Sequence, residues 1–222
     1  MVSYMQISLA EMDLDLREVY RSMGYRGNTP EADICALCQE LISEVEQIAR
    51  PSFYYQIFDC DPSSESLKVG DTEFMTGKII SSLMKRSSSA AVFVATAGWQ
   101  VQRWLDEISA SGDALRLFIA DAIASTIVEA MGDRMELDLE QRIGDMLHTN
   151  RFSPGYCKWD IREQQKLFKV LSDQRCEITL NDSCLMQPIK SISGVIGIGK
   201  DVITKKYGCA ICQRADCYMR KS

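Results

Sequence analysis

Apolar residues recur along this chain in two rhythms, and the change from one to the other marks its elements. Asn28, Thr29 and Pro30 form a helix start, a capping side chain followed by a proline whose missing N–H costs nothing in the first turn. The helix is predicted to run to Arg50, where Pro51 stops it. Ser52 to Cys60 is aromatic and β-branched enough to read as a strand, with Asp61-Pro62-Ser63-Ser64 as its turn. A short strand or hairpin around Leu67 to Phe74 and a helix from Thr76 to Lys85 follow. Ala90 to Ala97 is a short apolar run bounded by Ser87-Ser88-Ser89 and Gly98, as expected of a strand buried on both faces.

Beyond Gly98 the period becomes helical. Trp99 to Ser109 and Ala114 to Leu147 carry apolar residues at helical spacing, as in Leu115, Phe118, Ile119, Ala122, Ile123 and Ile127. Gly112-Asp113 breaks the pattern, and Gly132 is a candidate second break. After a non-helical stretch around Arg151 to Tyr156, Ile161 to Leu171 reads as a helix, and Ile178 to Leu180 and Ile192 to Ile198 read as strands. Helices and strands mix without the strict alternation that builds a doubly wound parallel sheet, so the expected class is α+β. The expected architecture is a mixed or antiparallel twisted sheet with several helices, one of them long and central.

The chain has 222 residues, 46% hydrophobic and 25% charged, an ordinary globular composition. Ala90 to Trp99, its most apolar stretch, is about half of the roughly 20 residues a membrane-crossing helix needs. Met1 to Glu11 shows no basic region followed by a long apolar run, so a cytoplasmic address is the expectation. The net charge of -6 argues against nucleic acid as a partner, because phosphate binding rests on clustered Lys and Arg. The charge is uneven: from Lys200 onward six basic residues face two acidic ones, which leaves a surplus of ten negative charges on residues 1–199. The basic tail, residues 200–222, is expected to be a separate functional or docking element.

Nine cysteines in a chain without an export signal point to reduced thiols, with metal binding or redox chemistry considered before disulfides. Cys209, Cys212 and Cys217 in the tail are the candidate metal ligands, since Cys-x-x-Cys lets two thiolates reach one metal from a tight turn and Arg214 favours their ionised form. Zinc or an iron–sulfur cluster would suit them, with Cys35 or Cys38 or an outside group as fourth ligand. A reduced, unliganded tail stands beside that reading. Cys35 and Cys38 share a face of the first predicted helix, where packing in a core explains them as well.

Arg151-Phe152-Ser153-Pro154-Gly155-Tyr156 falls between two predicted helices. Pro154 restricts φ and biases Ser153 to an extended shape, and Gly155 lets backbone approach a ligand. Arg151 can clamp a carboxylate through two parallel hydrogen bonds, and Tyr156 offers a flat apolar face with a polar tip. A capped turn between helices would account for the same six residues.

This segment resembles the Arg-x-x-x-Gly-Tyr signature of the reactivation domains of cobalamin-dependent methionine synthase. Ile178 to Pro188, followed by Ser191-Ile192-Ser193-Gly194, is similar to that family's Leu-Thr-x-Ser-x-x-Met-x-Pro and Ser-x-Ser-Gly stretch. Ala120-Asp121-Ala122-Ile123-Ala124 is similar to the helix that leads to its binding loop. The matches keep the family's order and cover roughly residues 90–199. They imply a methionine synthase activation domain-like fold over residues 1–199. They further imply S-adenosylmethionine held by Arg151, Ser153, Pro154 and Gly155, with Tyr156 toward the corrin as the residue nearest the chemistry.

The sequence departs from the family at Cys157-Lys158-Trp159-Asp160, at Ser125, where the family has an acid that contacts the cofactor, and at Ala122, where it has an arginine. The corrinoid-binding signature Asp-x-His-x-x-Gly is missing: the one histidine, His148, reads as a helix C-terminal residue favoured by the macrodipole. The chain is also too short for the barrels that carry homocysteine and folate. The resemblance therefore implies an accessory protein, not a complete enzyme alone, acting on cobalamin supplied by a corrinoid-binding protein or methionine synthase modules, with an electron donor such as a flavodoxin. Two other readings stand beside it: a docking module that binds a corrinoid protein without S-adenosylmethionine, and an iron–sulfur electron donor working through the tail.

Overall fold

The computed structural model describes residues 1–203 apart from 13 and 26. In chain order the elements are β1 (Val2–Gln6), α1 (Leu16–Ser22), α2 (Ala32–Ile48), β2 (Ser52–Pro62), β3 (Leu67–Val69), β4 (Thr72–Phe74), α3 (Gly77–Met84), β5 (Ser89–Thr96), α4 (Trp99–Ser111), α5 (Ala114–Ile143), β6 (Leu147–His148), α6 (Gln164–Val170), β7 (Thr179–Leu180), β8 (Met186–Gln187) and β9 (Ser191–Gly199). Seven of the strands form one sheet in the order β4-β3-β2-β5-β9-β6, with β1 added to β2, and every pairing is antiparallel. The class is α+β, as the mixed order of elements led one to expect.

The sheet is covered on both faces. Phe53 and Tyr55 of β2, Ala91, Phe93 and Ala95 of β5 and Ile196 and Ile198 of β9 pack with Met131, Met135 and Leu139 from the second half of α5. Their neighbours in the alternating register, Tyr54, Val92, Val94 and Val195, turn to the other face and meet residues of α3, α6 and the β3–β4 hairpin, together with Trp159. The first half of α5 packs with α2 and α4 in a separate helical core built on Leu41, Val45, Val101, Trp104, Ile123 and Ile127. At 30 residues, and about 1.5 Å per residue, α5 extends about 45 Å and joins the two cores.

Several element boundaries differ from the sequence reading. The helix expected from Asn28 opens at Ala32 with Glu31 in the N-cap position, because Pro30 is buried and holds the chain extended ahead of it. Helix α5 runs unbroken through Gly132, so that glycine is no terminator. His148 is not a helix C-terminal residue: it sits in β6 opposite Ile198, with Nδ1 within 2.7 Å of Thr149 O and Nε2 within 3.0 Å of Glu140. Four elements, β1, α1, β6 and β8, have no counterpart in the sequence reading.

Strand β1 is tied to α5 by a charged node. Asp138 Oδ2 accepts hydrogen bonds from Ser3 Oγ, Tyr55 Oη and Arg142 Nε, each at 2.8 Å, and its side chain is 11% exposed. Burial alone would raise the Asp138 carboxyl, but the donors Arg142, Tyr55 and Ser3 together hold it below the usual aspartate range. A carboxylate with a depressed folded-state pKa gives its full stabilisation above the unfolded pKa, and loses it as pH falls through the folded value. Asp138→Asn is therefore expected to cost about 1.5–3 kcal/mol at neutral pH, the range for hydrogen bonds to a charged group. The gap between variant and native protein should narrow in urea melts as pH falls through and below the ordinary aspartate range. A gap independent of pH would contradict this assignment.

Candidate functional site

The segment 150–159 leaves β6 and crosses back over the sheet. Phe152 forms a two-way bridge with Val195 of β9, its N–H donating to Val195 O at 2.9 Å and its carbonyl accepting from Val195 N at 2.8 Å. The approach is close because Gly194 lies beneath it, where a Cβ would overlap the Phe152 carbonyl. Trp159, 1% exposed and packed edge-on against Phe74 at 6.0 Å, anchors the other end. Between these points the turn closes on itself: Gly155 N–H donates to Trp159 O and Tyr156 N–H to Ser153 O. Those two amides are spent within the turn.

The Phe152 bridge fixes Arg151 next to α5. Its guanidinium lies on the helix surface at Gly132, where a Cβ would overlap Nη1, and Nη1 is buried without a hydrogen-bond partner. Glycine inside a helix costs about 1 kcal/mol relative to alanine, and the approach of Arg151 and of Ile192 accounts for it here. Three carboxylates of α5 surround the cation: Asp133 at 2.8 Å, Glu129 at 3.4 Å and Glu136 at 3.7 Å. Their spacing of four and three residues places them on one helix face. One guanidinium among three acids leaves a formal surplus of two negative charges. Crowding by protein raises the Glu129 and Glu136 carboxyls, while Arg151 pulls both down.

Arg151 stands on the wall between two hollows. The larger, about 1050 Å³, runs between α1 and α5 and is walled by Asp121, Ser125, Glu129, Asp133, Arg151, Tyr156 and Lys190, among others. The smaller, about 390 Å³, lies beneath the turn and takes Ser153, Tyr156 and Cys157. Arg151 and Tyr156 share both spaces, and Tyr156 is 66% exposed at their edge. Pro154 is buried and Gly155, at φ +93°, is exposed, but neither lines either hollow. Opposite the guanidinium, Lys190 pairs with Asp121 at 2.7 Å and donates to Ser125 Oγ at 2.9 Å.

Three stretches far apart in sequence thus reach one place: Asp121 and Ala122 from α5, Arg151 and Tyr156 from the turn, and Ile189, Lys190 and Ser191 from the approach to β9. The acids Glu129, Asp133 and Glu136 and the cation Lys190 did not emerge from the sequence as site residues. The signal was there, three acids on one helix face around a glycine, but it reads equally as a solvated face. No group of three or more His, Cys, Asp or Glu residues able to hold a metal occurs among the described residues. Cys38 is buried with its thiol pushed up by desolvation and Sγ 3.8 Å from Met23 Sδ, as befits a packed side chain. Cys209, Cys212 and Cys217 lie outside the described residues. No described helix is long and apolar enough to cross a membrane.

The antiparallel sheet, the bridging helix and the charged cleft at the Arg151 turn define an α+β domain with an open, acid-rich cleft. The family model for the vitamin B12 dependent methionine synthase activation domain matches residues 79–221, and the chain belongs to that family. Its role accordingly lies in cobalamin reactivation. Among solved structures, the MetH reactivation domain bound to AdoHcy is similar in fold, with a TM-score of 0.64 at 14% identity over 92% of this chain and 80% of that one. A comparison with curated proteins finds no match.

The ion cluster can be tested without a ligand. In Arg151→Ala the Glu129 and Glu136 carboxyls lose the cation that pulls them down, so both should titrate at higher pH than in the native protein. Carboxylate carbon chemical shifts followed against pH read this directly, and unmoved midpoints would mean that the guanidinium does not sit among these acids in solution.

Proposed function

We propose that this chain binds S-adenosylmethionine in the cleft at Arg151 and serves the reductive reactivation of cobalamin held by the modules of a partner methionine synthase or corrinoid methyltransferase. The observation that carries the reading is the convergence of the three family-like stretches on one cleft. That cleft has the size usual for small-molecule sites and a surplus of negative charge. S-adenosylmethionine is a zwitterionic amino acid with an added sulfonium, so it needs a cation for its carboxylate and anions for its ammonium and sulfonium. The residues present fit that description. The MetH reactivation domain that shares this fold was crystallised with AdoHcy, the thioether that remains when the sulfonium gives up its methyl group.

In this reading Arg151 takes the ligand carboxylate through its fork of N–H donors. In its pairs with Glu129 and Asp133 the guanidinium is 21% exposed while the acids are 57% and 68% exposed, so the acid side of each pair is open to exchange for a ligand. The acids then face the ammonium and sulfonium. Ser125 presents no carboxylate, but Glu129, four residues after it, lines the same cleft and supplies the charge that the serine lacks. Ser153 closes the smaller hollow, Pro154 and Gly155 hold the turn in shape, and Tyr156 offers its exposed ring to the partner's macrocycle. Bound here, S-adenosylmethionine would supply the methyl group that traps cobalt once a separate donor has given it one electron.

A docking role without S-adenosylmethionine is the second reading, and the engagement of Ser125 by Lys190 favours it. Calorimetry separates the two. The proposal expects the native protein to bind S-adenosylmethionine and Arg151→Ala to bind about tenfold or more weakly, the loss of one charge-assisted interaction. A cob(II)alamin reduction assay with a corrinoid partner should likewise depend on S-adenosylmethionine. No heat of binding with the native protein, together with capture of a corrinoid protein, would select the docking role instead.

A further inference from the structure

The start of α4 opens onto a hollow of about 490 Å³ that shares no wall residue with the Arg151 cleft. Three guanidiniums from separate parts of the chain line it: Arg50 from the turn after α2, Arg103 from α4 and Arg175 from the segment before β7. None of the three forms an ion pair with a carboxylate among the described residues. Glu177 is the one acid in the wall, which leaves a surplus of two positive charges within a part of the chain that carries ten negative charges in excess. Three guanidiniums against one carboxylate make this hollow a positive spot on an acidic chain, a place that favours an anion.

Hydrogen bonds fix parts of the wall. Arg50 Nη1 donates to Ala49 O at 2.7 Å and to Gln47 O at 3.3 Å, which fixes one guanidinium at the end of α2. Trp99 Nε1 donates to Glu177 O at 3.0 Å and so ties the Arg175 segment to the first residue of α4. That helix begins at Gly98 without a side-chain cap, and its positive dipole end faces the same space. Guanidinium forks match phosphoryl oxygens in pairs, and a concave polar space of this size suits a small ligand better than a flat protein surface.

We propose that the Arg50–Arg103–Arg175 hollow is a second ligand site, one that binds a phosphoryl group carried by free phosphate or by a nucleotide. The test titrates the full chain with inorganic phosphate and, separately, with adenosine monophosphate, following the Trp99 indole N–H resonance and the heat of binding. Arg103 and Arg175 are exposed, so the double variant Arg103→Gln/Arg175→Gln should keep its fold, which its circular dichroism will verify. Phosphate should shift the Trp99 signal at millimolar concentration, more weakly at high salt, and the double variant should bind about tenfold or more weakly. Equal affinity for the two probes identifies free phosphate as sufficient, and tighter binding of the nucleotide identifies the larger ligand. Absence of any response from the native protein at about 10 mM of either probe, or an unchanged affinity in the folded double variant, would overturn the site.

Discussion

The guanidinium of Arg151 rests on bare helix backbone, and the shape of the cleft follows from that contact. A side chain at position 132 would fill the space that Nη1 occupies, and a side chain at 194 would push away the Phe152 carbonyl that precedes the turn. Two glycines, one on α5 and one on β9, thus let a loop settle into the angle between helix and sheet. The bridge from Phe152 to Val195 then sets the height of Arg151 over the helix, and the acids of α5 complete its surroundings.

This accounts for a charge pattern that looks wasteful in isolation. Three acids against one cation is more negative charge than the cation needs, and protein around Glu129 and Glu136 already disfavours their ionised forms. Such crowding is tolerable in a site whose ligand brings positive charge of its own. Across the cleft the balance differs: Lys190 and Asp121 neutralise one another, with Ser125 Oγ accepting a second bond from Lys190. The cleft therefore has an acidic end and a neutral end, which gives a charged ligand a preferred orientation.

Much of the fold was legible because its signals are local. The aromatic and β-branched content of Ser52 to Cys60, the unbroken apolar run at Ala90 to Ala97 and the helical period after Ala114 correspond to β2, β5 and α5. Strand β1 was hidden because it borders the sheet and hides little: only Ser3 of its five residues is buried, and what secures it is the Asp138 node on a helix more than a hundred residues away. Helix α1 is seven residues long, too short for its period to stand out. Gly132 misled for a related reason, since its purpose lies in a side chain nineteen positions downstream. The Arg151 turn itself was visible as a motif, whereas Glu129, Asp133, Glu136 and Lys190 became site residues only when the turn was seen to lie on them.

The sharpest measurement pairs the affinity of Gly132→Ala for S-adenosylmethionine with its thermal stability. Alanine favours the helix by about 1 kcal/mol, and the atoms it displaces, Arg151 Nη1 and Ile192 Cδ1, are the far ends of side chains, so the melting temperature should hold or rise. The account predicts that affinity nevertheless falls about tenfold, because the guanidinium has been moved off its seat. An equally stable variant that binds as tightly as the native protein would contradict it.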